Sequence, residues 1–137
     1  MTYNNLPKIT FESKILSDLE KALKIEWLVT NGLGGYASST ILGANTRKYH
    51  GLLIAAFNPP VDRRVLLANI EEKIHVENTE YSMGTRELKG REFQPEGYRY
   101  LADFVLAPLP TATFKVNDNI QLKKTVFIPS GKNATIV

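Results

Sequence analysis

The densest run of chemically capable side chains is Thr46-Arg47-Lys48-Tyr49-His50-Gly51, which sets a hydroxyl, two cations, a phenol and an imidazole in consecutive positions. On a regular strand Thr46, Lys48 and His50 face one way while Arg47 and Tyr49 face the other. Two readings stand side by side. In one, His50 and Tyr49 are hydrogen-bonded polar residues at the mouth of a buried strand, the commoner fate of a lone strand histidine. In the other, Arg47 and His50 form a polar cluster that faces sugar hydroxyls or a neighbouring domain.

A second candidate is Thr30 to Thr40, TNGLGGYASST, where Gly32 to Ala37 spell G-x-G-x-x-A, the relaxed letters of a dinucleotide loop. That chemistry needs a strand leading in and a helix leading out whose first N–H groups meet the phosphate. Tyr36-Ala37-Ser38-Ser39-Thr40-Ile41 is rich in strand formers, and no βαβ alternation follows. The glycines therefore read as a hairpin turn that needs positive φ, with Asn31 at its start and Tyr36 as an aromatic platform beside low backbone. No cofactor is expected.

Other chemistries find little support. His50 and His75, the two histidines, are 25 positions apart with no ligand spacing, and there is no cysteine, so no metal site is expected. Ser38 and Ser39 lie outside any nucleophile motif. Glu26, Glu71, Glu72 and Asp103 are carboxylates of the right type for glycoside hydrolysis, but salt-bridged or surface roles are favoured for all four. Trp27, in an apolar run, is expected in the core.

Composition sets the frame for these residues. The 137 residues are 43% hydrophobic and 23% charged, an ordinary globular balance for one domain. The net charge of +3 is spread without a basic stripe, so nucleic acid is not an expected partner. No apolar run nears the roughly 20 residues of a membrane span and no signal peptide is visible. A cytoplasmic protein without membrane contact is the expectation.

Ser13 to Lys24 carries Ile15, Leu16, Leu19, Ala22 and Leu23 at helical spacing, with Ser17 and Glu20 as a capping box. From Ile25 onward short β-branched and aromatic runs alternate with turn residues. Strands are predicted at 25–30, 36–42, 47–57, 65–76, 80–83, 98–107, 110–116, 120–128 and 134–137. Asn58-Pro59-Pro60 reads as a hard stop, and 84–97, with six charged residues, as the longest loop. Leu52 to Phe57 is apolar at every position and needs cover on both faces. The fold class is thus all-β, an antiparallel β-sandwich with one short N-terminal helix. Residues 134–137 open an apolar strand at the end of the sequence, which suggests a sandwich truncated at the C-terminus and an edge able to pair with another copy.

The run Glu26 to Thr40, followed by Gly43 and Thr46-Arg47-Lys48-Tyr49-His50-Gly51-Leu52-Leu53, closely resembles the amino-terminal domain of bacterial and archaeal glycogen debranching enzymes. The resemblance is ungapped over 26–57 and weaker through Arg64 to Leu67 and Lys123 to Pro129. It implies a β-supersandwich preceding an (α/α)6 toroid that carries the catalytic carboxylates for amylo-α-1,6-glucosidase activity. Residues 1–137 would then be a partial, non-catalytic N-terminal domain whose partners are the catalytic domain of the same parent chain and α-glucan. Under this resemblance Asn31, Tyr36, Thr46, Arg47, Tyr49 and His50 are the candidates for touching glucan or pinning the domain interface. A stand-alone carbohydrate-binding or structural β-sandwich module is the alternative.

Overall fold

The computed structural model describes residues 8–137, and two four-stranded antiparallel sheets dominate it. The first joins β1 (Thr10–Glu12), β10 (Leu101–Val105), β11 (Thr111–Asn117) and β12 (Ile120–Thr125) in the order β1-β10-β11-β12. The second runs in sequence order through β2 (Glu26–Thr30), β3 (Tyr36–Thr40), β4 (Gly51–Asn58) and β5 (Val61–Leu67). Two hairpins, β6 (Lys73–Val76) with β7 (Thr79–Ser82) and β8 (Thr85–Glu87) with β9 (Phe93–Glu96), link the sheets in sequence.

The core lies between the sheets. Trp27, Ala37 and Leu52 from one pack with Leu101, Phe104, Ala112 and Phe114 from the other, joined by Ile41, Leu42, Met83 and Val126. Trp27 is buried as expected and its indole N–H donates to the Thr40 carbonyl at 3.2 Å. On β4 Leu52, Ile54, Ala55 and Ala56 are all buried, so most of its all-apolar run is covered on both faces.

The expected single helix is two one-turn segments, α1 (Ser13–Leu16) and α2 (Leu19–Ala22). Asp18 leaves helical geometry at φ −88°, ψ 89° and its carboxylate accepts the Lys21 N–H at 3.2 Å. It takes the capping place expected of Ser17, since Asp is as good a cap and stands one residue nearer α2.

Strand limits also shift. Asn58-Pro59-Pro60 does not stop the sheet; it turns β4 into β5, with Asn58 opposite Val61. The predicted 65–76 strand divides into β5 and β6, and the expected loop 84–97 contains the β8–β9 hairpin. Residues 98–100 lie in a 3-10 turn, Gly97–Tyr100. At the end only an isolated bridge forms, Phe127 to Ile136. No helix among the described residues is long and apolar enough to cross a membrane.

Candidate functional site

Glycines shape the first of two loops, the turn from β2 to β3 at one end of the second sheet; the second loop joins β3 to β4 at the other end. β2 pairs with β3 from Glu26–Thr40 to Thr30–Tyr36, so the segment after the glycines is extended and no helix opens there. Gly32 at φ +77° and Gly34 at φ +92° supply the left-handed backbone of the turn. Gly34 also meets the next hairpin: a Cβ there would sit 2.5 Å from the Pro60 carbonyl oxygen. Arg63 Nε donates to the Gly34 carbonyl at 2.7 Å, fastening the two hairpins together.

Asn31 holds this turn from inside. It is 1% exposed; its Oδ1 accepts the N–H of Leu33 at 2.8 Å and of Gly35 at 3.0 Å. Its Nδ2 donates to the Lys132 carbonyl at 3.2 Å and to Asn133 Oδ1 at 3.1 Å. Both donors and both lone pairs are engaged within the chain, so Asn31 shapes the loop and has no polar capacity left for a ligand.

The second loop corrects the expectation of a strand from 47: β4 begins at Gly51, and residues 44–50 are folded without strand pairing. The alternating faces expected for Thr46 to His50 therefore do not exist. Thr40 Oγ1 clasps Ala44 at its carbonyl (2.9 Å) and its N–H (3.1 Å), and the His50 N–H closes on the Arg47 carbonyl at 3.1 Å. A local polar network replaces the ladder because the imidazole offers an acceptor: His50 Nδ1 takes the N–H of Thr46 at 3.0 Å and of Arg47 at 3.3 Å.

Glu26 at the start of β2 joins the cluster. Arg47 Nε donates to Glu26 Oε1, and His50 Nε2 lies 3.3 Å from the same oxygen without a well-formed hydrogen bond. Burial holds the His50 imidazole below its ordinary value, Glu26 works against that, and Arg47 reinforces it. His50 is enclosed, Arg47 and Tyr49 are exposed, and Thr46 is half-buried. The Tyr36 hydroxyl, at the start of β3, donates to the Tyr49 carbonyl at 3.0 Å and so braces the second loop against that strand. Burial pushes the Tyr36 phenol up.

Tyr36 thus meets Tyr49, while Arg47 and His50 meet Glu26 at the far end of β2; Asn31 braces the glycine turn and Thr46 lies within the second loop. Beside Tyr36 and the glycine turn, Leu28, Thr30, Gly32, Gly34, Gly35, Tyr36 and Arg63 line an open groove of about 540 Å³. That Arg63 and Pro60 meet the glycine turn was not legible in the sequence, where Pro60 reads only as a stop, because nothing local ties them to glycines far upstream. Of the carboxylates weighed for acid–base work, Glu26 is held by Arg47, Glu72 meets Lys124 at 2.6 Å and Glu71 lies 3.7 Å from Arg86. Among the described residues no group of three or more His, Asp or Glu side chains gathers as metal ligands would.

Against known proteins, the profile of the family described as "Glycogen debranching enzyme N terminal" matches residues 25–137. The chain belongs to this family. The match takes in both loops, both four-stranded sheets except β1, and both hairpins. No curated protein and no solved structure matches the chain. As a member of the glycogen debranching enzyme N-terminal family it has the all-β sandwich that its resemblance implied.

Proposed function

We propose that this domain supports the catalytic domain of a glycogen debranching enzyme that hydrolyses α-1,6-glucosidic branch stubs, and that Tyr36 and the second loop contribute to glucan binding without doing the chemistry. The observation that carries the reading is the Tyr36–Tyr49 bond, which sets the half-buried Tyr36 phenol of β3 beside the exposed Tyr49 of the second loop. Aromatic faces and fixed hydrogen-bonding groups are what a sugar ring needs, and a site on a braced loop holds its geometry. Glu26 is tied to Arg47, a structural state for a carboxylate rather than that of a free general base.

A second surface favours the supporting role. β5 is one of the two edges of its sheet among the described residues, and all seven of its residues are exposed. Val61, Val65, Leu66 and Leu67, with neighbouring Phe57, are exposed apolar side chains spread over both faces of this edge, of the kind a packed partner covers. The catalytic domain of the parent chain is the occupant this reading assigns to it.

Titration of the chain with maltooligosaccharides and glycogen tests the glucan part. Saturable binding that weakens about five- to thirtyfold in Tyr49→Ala, a loss of one stacking contact worth roughly 1–2 kcal/mol, is expected. Binding that is absent, or indifferent to Tyr49 and Arg47, leaves only the supporting role.

A further inference from the structure

His50 is a buried hinge-pin on which the second loop closes. Its side chain is 3% exposed, whereas that of His75, the other histidine, is 67% exposed. An imidazole nitrogen accepts hydrogen bonds only while it carries no proton. Nδ1 accepts two, from the amides that open the loop, so the ring is neutral and its proton sits on Nε2, facing Glu26. The charged groups that face the ring are Glu26 from β2 and Arg47 from the loop itself.

We propose that His50 is a proton-operated latch for residues 46–50: the neutral ring pins the loop, and the imidazolium releases it. Once both nitrogens are donors, Nδ1–H confronts the Thr46 and Arg47 N–H groups at about 3 Å with no acceptor between them. The gain from facing Glu26 offsets part of this conflict, but Glu26 Oε1 already accepts from Arg47. The loop is the element free to yield, because it is held by the Thr40 hydroxyl at one end and a single backbone turn bond at the other rather than by a strand ladder. Release would carry away Arg47 and the Tyr49 carbonyl that Tyr36 holds, breaking the Tyr36–Tyr49 contact while β2 and β3 stay paired. The surface formed by Tyr36 and the loop is then present at neutral pH and withdrawn in acid. This inference does not depend on what the surface binds.

Nuclear magnetic resonance of the chain tests it directly, since only two imidazoles are present and one spectrum of His50→Asn assigns both. As His50 takes its proton, the amide-exchange protection of Thr46 and Arg47, corrected for intrinsic rates, should fall about tenfold per pH unit beyond the midpoint. Protection of Val29 and Ala37 in the β2–β3 ladder should stay within about twofold over the same range. His50→Asn, whose side-chain oxygen can accept but takes no proton, should keep the loop protected throughout. Should that variant not fold, Glu26→Gln gives the second reading. Removing the carboxylate that favours the imidazolium must move the loop transition to lower pH. The latch is overturned if His50 titrates with the loop still protected, if the ladder opens at the same midpoint, if His50→Asn opens in acid like the parent, or if Glu26→Gln leaves the transition in place.

Discussion

Replacing Asn31 by Ala removes four hydrogen bonds from one buried side chain, and the structure says which of them matter. The Gly35 N–H is buried and loses its acceptor outright, at about 1–3 kcal/mol. The Leu33 N–H is half-buried and the Lys132 and Asn133 partners are exposed, so water replaces much of what they lose, leaving roughly 0.5–1 kcal/mol each. The sum is about 2.5–6 kcal/mol, a large part of the roughly 5–15 kcal/mol that holds a domain folded. Urea unfolding followed by fluorescence of Trp27, the only tryptophan and a buried one, measures it. Asn31→Asp keeps the acceptor and loses both donors, and it places carboxylate charge beside the Lys132 carbonyl and Asn133 Oδ1. It should leave the 31–35 turn intact but speed exchange at Gly131, whose N–H reaches the Asn31 carbonyl at 2.7 Å. An Asn31→Ala loss below about 1 kcal/mol, or an unaltered Gly131 in Asn31→Asp, would refute the bracing role.

Gly97→Ala would set a Cβ 2.0 Å from the Met83 carbonyl oxygen, so backbone must move; loss of more than about 3 kcal/mol, or no folded protein, is expected in the same unfolding assay. Glu12 faces Asp103 across β1 and β10, and Glu12→Lys should raise stability by roughly 0.2–1 kcal/mol, an effect that 1 M salt diminishes. Lys124→Ala leaves Glu72 Oε1, enclosed beside the core, without its cation and should cost about 1–3 kcal/mol, with Glu72→Gln in the same chain recovering part of it. His50 binds its proton less readily folded than unfolded, so the unfolded chain holds more protons just below the ordinary histidine value of about 6.5. Stability should therefore be full above that value and decline as pH falls through it, and His50→Asn should flatten that part of a urea-midpoint profile. Asp18, Glu80 and Glu96, each held low first by a hydrogen bond from Lys21, Lys73 or Arg99, give stability that is lost only in the lower, carboxylate range.

Much of this was legible because it is local. The glycine turn announces itself through Asn-Gly and Gly-Gly between two strand-forming runs, and the structure puts positive φ at Gly32 and Gly34. Trp27 and the apolar run of β4 declare burial by residue type alone. Of the two readings of His50, the structure gives the buried, hydrogen-bonded one directly, and the same bonds are what bring Arg47 to Glu26. The strand expected from Arg47 failed for an equally local reason that spacing does not reveal. His50 can satisfy two backbone amides itself, and that competes with a ladder.

By itself the sequence determined the class of the protein: period-two patterning, turn residues and the long match over 26–57 specify antiparallel sheets and the debranching-enzyme N-terminal family. Only the tertiary structure decided which polar groups meet. Asn31 finds Lys132 and Asn133 about a hundred residues away, Arg63 finds Gly34, and Tyr36 finds Tyr49. Patterning records whether a side chain leaves water, a property of one residue and its neighbours. A hydrogen bond depends on the angle and distance between two atoms, and those exist only once the two hairpins and the closing segment have packed against one another.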